Sequence, residues 1–395
     1  MSPELVYVLL VFALFVVPKV LLRFRIPAAV TELGLGAAAG LGLGMFHGDA
    51  TISLLASFGI IALFLLAGLE VDTAALFRDR RVLLQHLAIR TVLIAAGTWA
   101  VQAVTGIGWR PACLVSLALL TPSTGFILSS LRSMEVTDKE AAWIKVKAIS
   151  TELLALLILF AVTQSTSPVR LAVSTAGLAA LIVLLPVAFR VFASRVAPFA
   201  PKSEFAFLVM LAILCGYATR ELGVYYLVGA FVVGWAAGRF RDQYPAVGND
   251  QMFHAVEVFA SFFIPFYFFS AGLHLLAEDL TLEALLTAAI FVVAAVPLRA
   301  LGVTAHRWAA LRESFGHGLR IALSMTPTLV FSLVLAEIAR DRFGLPPELF
   351  GGLVIYALVT TLAPIVVLGI RPPATETLTG AGADVRVDAP VPGER

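Results

Sequence analysis

The stretch Thr121-Pro122-Ser123-Thr124 interrupts an apolar run, Pro111 to Leu131, that is long enough to cross a bilayer as a helix. Pro122 has no backbone N–H, and its ring crowds the carbonyl four residues back, so the helix must break or kink. Hydrocarbon offers no water to the freed backbone groups. The hydroxyls of Thr121, Ser123 and Thr124 are the nearest groups able to bond them. A second such stretch, Thr326-Pro327-Thr328, lies inside the run Gly318 to Ala336. One Thr-Pro in a membrane helix is ordinarily a simple kink. A matched pair in two halves of a chain points instead to a transport site at the centre of the membrane.

Working outward, the 395-residue chain is 60% hydrophobic and 14% charged, with a mean hydropathy of +0.95. That composition predicts an all-α polytopic membrane protein. Hydrophobic length predicts about thirteen spans: 4–22, 27–46, 52–70, 83–105, 111–131, 142–163, 169–189, 203–219, 222–238, 253–276, 281–303, 316–338 and 349–370. The domain reading is a membrane unit over 1–370 and a disordered cytoplasmic tail over 371–395, rich in Gly, Ala and Pro. No cleavable signal peptide is expected, because Met-Ser-Pro-Glu precedes the first span without a basic segment. Cys113 and Cys215 fall in apolar runs and read as small core residues. A net charge of +2 with no long basic run gives no sign of nucleic-acid binding. No cofactor is expected, and no nucleophile–base set or phosphate loop suggests an enzyme.

Loops after odd-numbered spans carry Lys19, Arg23 and Arg25, then Arg78, Arg80 and Arg81, then Arg132, Lys139 and Lys145. Later odd loops carry Arg190, Arg195 and Lys202, then Arg239 and Arg241, then Arg307 and Arg312. Even loops hold only Arg110, Arg170, Arg220, Arg340 and Arg342. The positive-inside rule then places the N-terminus outside and the C-terminus in the cytoplasm of a cell (inner or plasma) membrane.

The chain also repeats itself. The third span ends Phe64-Leu65-Leu66-Ala67-Gly68-Leu69 and the tenth ends Phe268-Phe269-Ser270-Ala271-Gly272-Leu273. Gly68 and Gly272 are 204 residues apart, and Thr121 and Thr326 are 205 apart. Two pairs at one offset argue for a duplicated unit. The offset corresponds to seven spans, an odd number, so the second copy is inverted. Repeat 1 covers about 1–163, a connector helix 169–189, and repeat 2 about 203–370.

Two ionisable residues lie within spans. Glu152 stands in Ile149-Ser150-Thr151-Glu152-Leu153, where a charge costs about 2.5–3.5 kcal/mol on insertion scales. Lys147, five residues earlier, is on the wrong face to pair with it. The alternatives for Glu152 are a transport-site carboxylate or a buried carboxyl pinning two helices. Arg299 either snorkels to the surface or serves as a fixed cation at the core. His86 and Arg90 are expected at the interface; Glu32, Glu70 and Asp72 are expected at helix ends, the alternative being that they line a vestibule.

Several stretches resemble the Kef-type and sodium/proton-exchanger superfamily of monovalent cation:proton antiporters. They are Ile26-Pro27 with Thr31-Glu32-Leu33-Gly34, Phe64 to Glu70, Leu227 to Gly234, and Phe268 to Leu273. The resemblance implies a thirteen-helix fold in two inverted repeats, with a dimerisation domain and a core of two crossed broken helices. It implies a homodimer that exchanges Na⁺, K⁺ or Li⁺ for protons in pH homeostasis. The family's ion-binding carboxylate pair falls on Thr151-Glu152, its basic residue on Arg299, and its broken helices on Thr121–Thr124 and Thr326–Thr328. This chain has Glu where the family has Asp, Thr as the first member of the pair, and Thr-Pro-Thr in the second break. A soluble regulatory domain like that of many Kef-type proteins is not expected in it.

The expected mechanism is competition of one proton and one dehydrated cation for Glu152. Oxygens of Ser150, Thr151, Thr121, Ser123 and Thr124 would assist, because hard cations prefer oxygen ligands. One titratable site implies electroneutral exchange. The alternatives are a proton- or sodium-coupled carrier of a small organic anion, with Arg299 binding the substrate, and a non-transporting membrane sensor.

Overall fold

The computed structural model describes residues 2–73, 80–131, 136–200, 203–243 and 250–369. Those residues are helical with short connections. The helices are α1 (Pro3–Leu21), α2 (Ala28–Ala37, prolonged by a π-turn Ala38–Gly42), α3 (Ala50–Leu69), α4 (Arg80–Thr105), α5 (Trp109–Leu120), α6 (Thr124–Leu131), α7 (Asp138–Gln164) and α8 (Pro168–Val191). They continue with α9 (Glu204–Glu221), α10 (Tyr226–Gln243), α11 (Asp250–Leu273), α12 (Leu282–Leu311), α13 (Phe315–Ser324), α14 (Leu329–Phe343) and α15 (Pro347–Leu368). Among the described residues, nine stretches are long and apolar enough to span a membrane, and the bent pair α13/α14 makes a tenth. Each predicted span overlaps a helix or a broken pair, but α2 and α10 are shorter apolar helices. Length and apolarity therefore do not by themselves establish a count of thirteen. The tail and the loop residues Arg78, Arg132 and Lys202 lie outside the described residues.

Helix packing sorts these elements into two bundles. In one, α3 packs on α10 and α11, α2 on α11, and α9 on α10. In the other, α4 packs on α5, α12 on α13 and α15, α14 on α5 and α15, and α6 on α7. Each bundle thus combines matching parts of both halves.

Glycines make the first bundle's close contacts. A Cβ on Gly68 would lie 2.2 Å from the Phe231 carbonyl oxygen and 3.0 Å from the Gly234 Cα. A Cβ on Gly272 would lie 2.1 Å from the Leu33 oxygen and 3.0 Å from the Gly36 Cα. These are one contact made twice, α3 on α10 and α11 on α2, as an inverted repeat requires. Gly59 meets Phe263, its own counterpart 204 residues on. A Cβ on Gly59 would lie 2.4 Å from the Phe263 carbonyl oxygen. The two-fold relation between the halves therefore passes between α3 and α11.

The outward faces are apolar, as lipid requires. On α8, Val183, Leu184 and Val187 are more than half exposed. The loop assignment of Arg307 is corrected: α12 runs on to Leu311, and Arg307 is buried. Arg307 donates two 2.7 Å bonds to Glu313 and lies 4.3 Å from the Trp143 ring centre.

Candidate functional site

Both proline breaks are present. α5 stops at Leu120, Thr121 is extended, and α6 restarts at Thr124. α13 stops at Ser324 and α14 restarts at Leu329, bent by 56°.

The groups freed by the breaks can be followed one by one. Pro122 cannot donate to the Ala118 carbonyl, and the Ser332 hydroxyl donates to it instead at 2.8 Å. The Leu119 carbonyl accepts from the Tyr356 hydroxyl (2.7 Å), and the Leu120 carbonyl from Arg90 Nη1 (3.4 Å). The Ser123 amide donates to the Pro327 carbonyl at 2.7 Å, tying one break to the other. The Thr124 amide donates to Glu152 Oε1 at 2.6 Å.

In the second break the Leu323 carbonyl, orphaned by Pro327, accepts from the Thr326 hydroxyl at 2.7 Å. Arg299 donates to the Met325 and Thr326 carbonyls at 2.8 and 2.9 Å. Buried backbone groups must be paired, and most partners come from distant helices. The expectation that local hydroxyls close the first break is corrected: that of Thr121 is buried without a partner, and that of Thr124 turns toward Glu152 and not toward a freed backbone group.

Two arginines occupy corresponding places. Arg90 on α4 and Arg299 on α12 each cap the carbonyl end of the half-helix before a proline, where a cation offsets the helix dipole. Both are 3% exposed. The interfacial expectation for Arg90 and His86 is therefore overturned, as is surface snorkelling for Arg299. Glu32, expected at a helix end, is fully buried within α2. Arg299 takes the core alternative; Arg90, His86 and Glu32 were misplaced because hydropathy shows a charge near a span end but not the bundle folded over it.

Glu152, 5% exposed, sits mid-way along α7. Its carboxylate meets the N-terminus of α6, where unbonded N–H groups favour negative charge. It faces a largely enclosed cavity of about 30 Å³, room for one or two waters. Leu63, Phe64 and Glu70 of α3 and Phe268 of α11 line one side; Ser123, Phe126, Glu152 and Phe331 line the other. The cavity lies between the two bundles.

The remaining predicted residues are dispersed around it. The Ser150 and Thr151 hydroxyls donate to the Lys147 carbonyl at 3.1 and 2.8 Å, and Thr151 also meets His86 Nε2 at 3.0 Å. Thr328 pairs with Thr360 at 3.0 Å, and Arg299 Nη1 also donates to Tyr356 at 3.2 Å. Glu70 stands at the end of α3, as expected, and there it lines the cavity. Its signal was Phe64-Leu65-Leu66-Ala67-Gly68-Leu69-Glu70, one apolar helix ending in a carboxylate.

Matching halves, paired broken helices and a buried carboxylate at the break are an architecture that recurs among secondary transporters. The family model for the sodium/hydrogen exchanger, transmembrane, matches residues 9–369. The chain belongs to that family. It is 25% identical to the "Probable Na(+)/H(+) antiporter 3" of Methanocaldococcus jannaschii over 92% of this chain and 95% of that protein. It is 23% identical to the "Na(+)/H(+) antiporter" of Enterococcus hirae, over 86% and 90% of the two chains. The fold is similar to that of the sodium proton antiporter MjNhaP1 from Methanocaldococcus jannaschii at pH 8. That match has a TM-score of 0.71 at 14% identity and covers 94% of this chain and 97% of that one.

Proposed function

We propose that this chain exchanges a monovalent cation, Na⁺, K⁺ or Li⁺, for a proton by alternating access, with both ions competing for Glu152. The observation that carries the reading is Glu152 itself, held by the Thr124 amide at a helix break inside a cavity between two bundles. A carboxylate there takes either a proton or a cation, and loading one expels the other. Ser123 on the cavity wall and the Thr124 hydroxyl beside Glu152 support it with oxygens. Ser150, Thr151 and Thr121 have a positioning role in this reading, and Arg299 with Thr326, Pro327 and Thr328 holds the second break rigid. The small cavity favours an ion over an organic anion, whose pockets run to about 300 Å³ or more.

Exchange of one proton per cation is electroneutral. The charged loops support a cytoplasmic C-terminus in a plasma membrane, and the family resemblance supports pairing as a homodimer.

The test uses the purified protein in liposomes with an internal pH dye. After a proton gradient is imposed, Na⁺, K⁺ or Li⁺ is added beside choline. One metal cation is expected to discharge the gradient, at a rate insensitive to a clamped membrane potential. Glu152→Gln is expected to abolish the response, and a wild-type rate in that variant would sink the mechanism.

A further inference from the structure

A groove of about 200 Å³ runs between α8 and α10 and shares no lining residue with the Glu152 cavity. Ile182 and Pro186 of α8 face Val232, Ala236 and Arg239 of α10 across it. The Phe189 and Phe240 rings, 5.0 Å apart, join the two helices at their C-terminal ends. Pro186 and Ala236 are too short to fill the space, and Ile182 and Pro186 are exposed on its rim. A void facing hydrocarbon forfeits dispersion contacts, so in a bilayer an acyl chain fills it. Lipid tails are as apolar as the groove, so the chain by itself brings no selectivity. Arg239, one turn before the end of α10, brings it. Its guanidinium lies 5.6 Å from the Trp235 ring centre, and the Trp235 indole N–H is donated to Thr73 at 3.4 Å. Among the described residues no carboxylate or carbonyl accepts from that guanidinium, so its N–H fork faces outward unused. Arg190 and Arg195 are exposed at the adjoining end of α8. By the positive-inside rule these ends face the cytoplasm, whose leaflet carries anionic lipid.

We propose that this groove binds one anionic phospholipid, with an acyl chain between α8 and α10 and the phosphate on the Arg239 fork. A planar guanidinium matches two phosphate oxygens at once. A zwitterionic headgroup brings its own ammonium, which competes for the phosphate and adds a like charge beside the arginines. The connector helix α8 packs on α9 and α10 of the first bundle and on α7 of the second. A lipid seated against it therefore fixes the one helix that touches both bundles, and a ligand bound only by the folded chain stabilises it. The site stands apart from Glu152 and does not depend on which ion is carried.

Native mass spectrometry of the full chain, delipidated in detergent, measures phosphatidylglycerol against phosphatidylcholine with the same acyl chains. Phosphatidylglycerol is expected to bind at least about fivefold more tightly, the effect of one basic residue on an anionic lipid. Arg239→Gln, an exposed change, should bring the two lipids within about twofold of each other. Ala236→Trp, which fills the groove, should weaken phosphatidylglycerol at least about fivefold. A photoreactive acyl chain is expected to cross-link within 182–186 or 232–240. Equal affinities in the wild type overturn the proposal. So does a full preference for phosphatidylglycerol in Arg239→Gln, which would leave Arg239 an interfacial anchor offsetting its own helix dipole. Glycerol phosphate without chains that displaces the lipid at equal concentration would reveal an anion site and overturn it too. A dimer that dissociates in Ala236→Trp while lipid binding persists would show the groove covered by a second copy, with the same consequence. Should Ala236→Trp fail to fold, Arg239→Gln and the cross-link position decide alone, and cross-links confined to other segments overturn the proposal.

Discussion

Arg299 shows how a single residue holds the second break together. Its two terminal nitrogens reach the Met325 and Thr326 carbonyls and the Tyr356 hydroxyl, and Tyr356 in turn bonds Leu119 in the first break. Removing the guanidinium leaves two buried carbonyls without partners, each costing about 1–3 kcal/mol. Arg299→Ala is therefore expected to lower thermal stability in detergent by roughly 2–6 kcal/mol. Arg299→Lys should recover only part, because an ammonium lacks the planar fork that serves two acceptors. Equal stability of Arg299→Ala and wild type would refute this role. The same network explains why Glu152 is held by a backbone amide: its own helix offers no partner, and the break supplies an unused N–H.

Among the elements, the glycine contacts of α3 and α11 set how closely the first bundle packs. Gly68→Ala or Gly272→Ala places a methyl 2.2 or 2.1 Å from a backbone oxygen, which no side-chain movement relieves. Either change is expected to destabilise by about 1–3 kcal/mol or more, read as a lower unfolding midpoint and loss of the monodisperse peak. Gly34→Ala is the control, since a Cβ there meets nothing within 4 Å and Ala improves helix propensity by nearly 1 kcal/mol. If all three variants behaved alike, close packing would not be what these positions require.

Across the whole molecule, the cavity lies at the boundary between the two bundles, and relative movement of the bundles would expose it to either side. Phe64 of α3 and Phe331 of α14 meet across that boundary, edge to face at 5.6 Å. Elsewhere, Arg342 and Gln164 both donate to the Gly223 carbonyl, at 2.7 and 2.6 Å. Joining the bundles with a short thiol-reactive cross-linker in Phe64→Cys/Phe331→Cys is expected to stop exchange, and cleaving the linker should restore it. Undiminished exchange after complete cross-linking would show that transport needs no such movement. The native Cys113 and Cys215 are buried, and the wild-type protein treated alike controls for them.

Much of this architecture follows from the sequence because it depends on local or periodic properties. Apolar length marks the helices, each proline fixes a break since no helix can carry it unchanged, and a repeat at an odd number of spans must be inverted. Glu152 stands out for the same reason, a charge inside an apolar run. The tertiary structure alone decided which groups meet. Ser332, Tyr356, Arg90 and Arg299 lie far along the chain from the carbonyls they satisfy, and Glu70 reads as an ordinary helix end until α3 stands across the cavity from α7. Hydropathy reports the preference of a segment for lipid; the pairing of buried polar groups is settled only when helices from both halves close over one another.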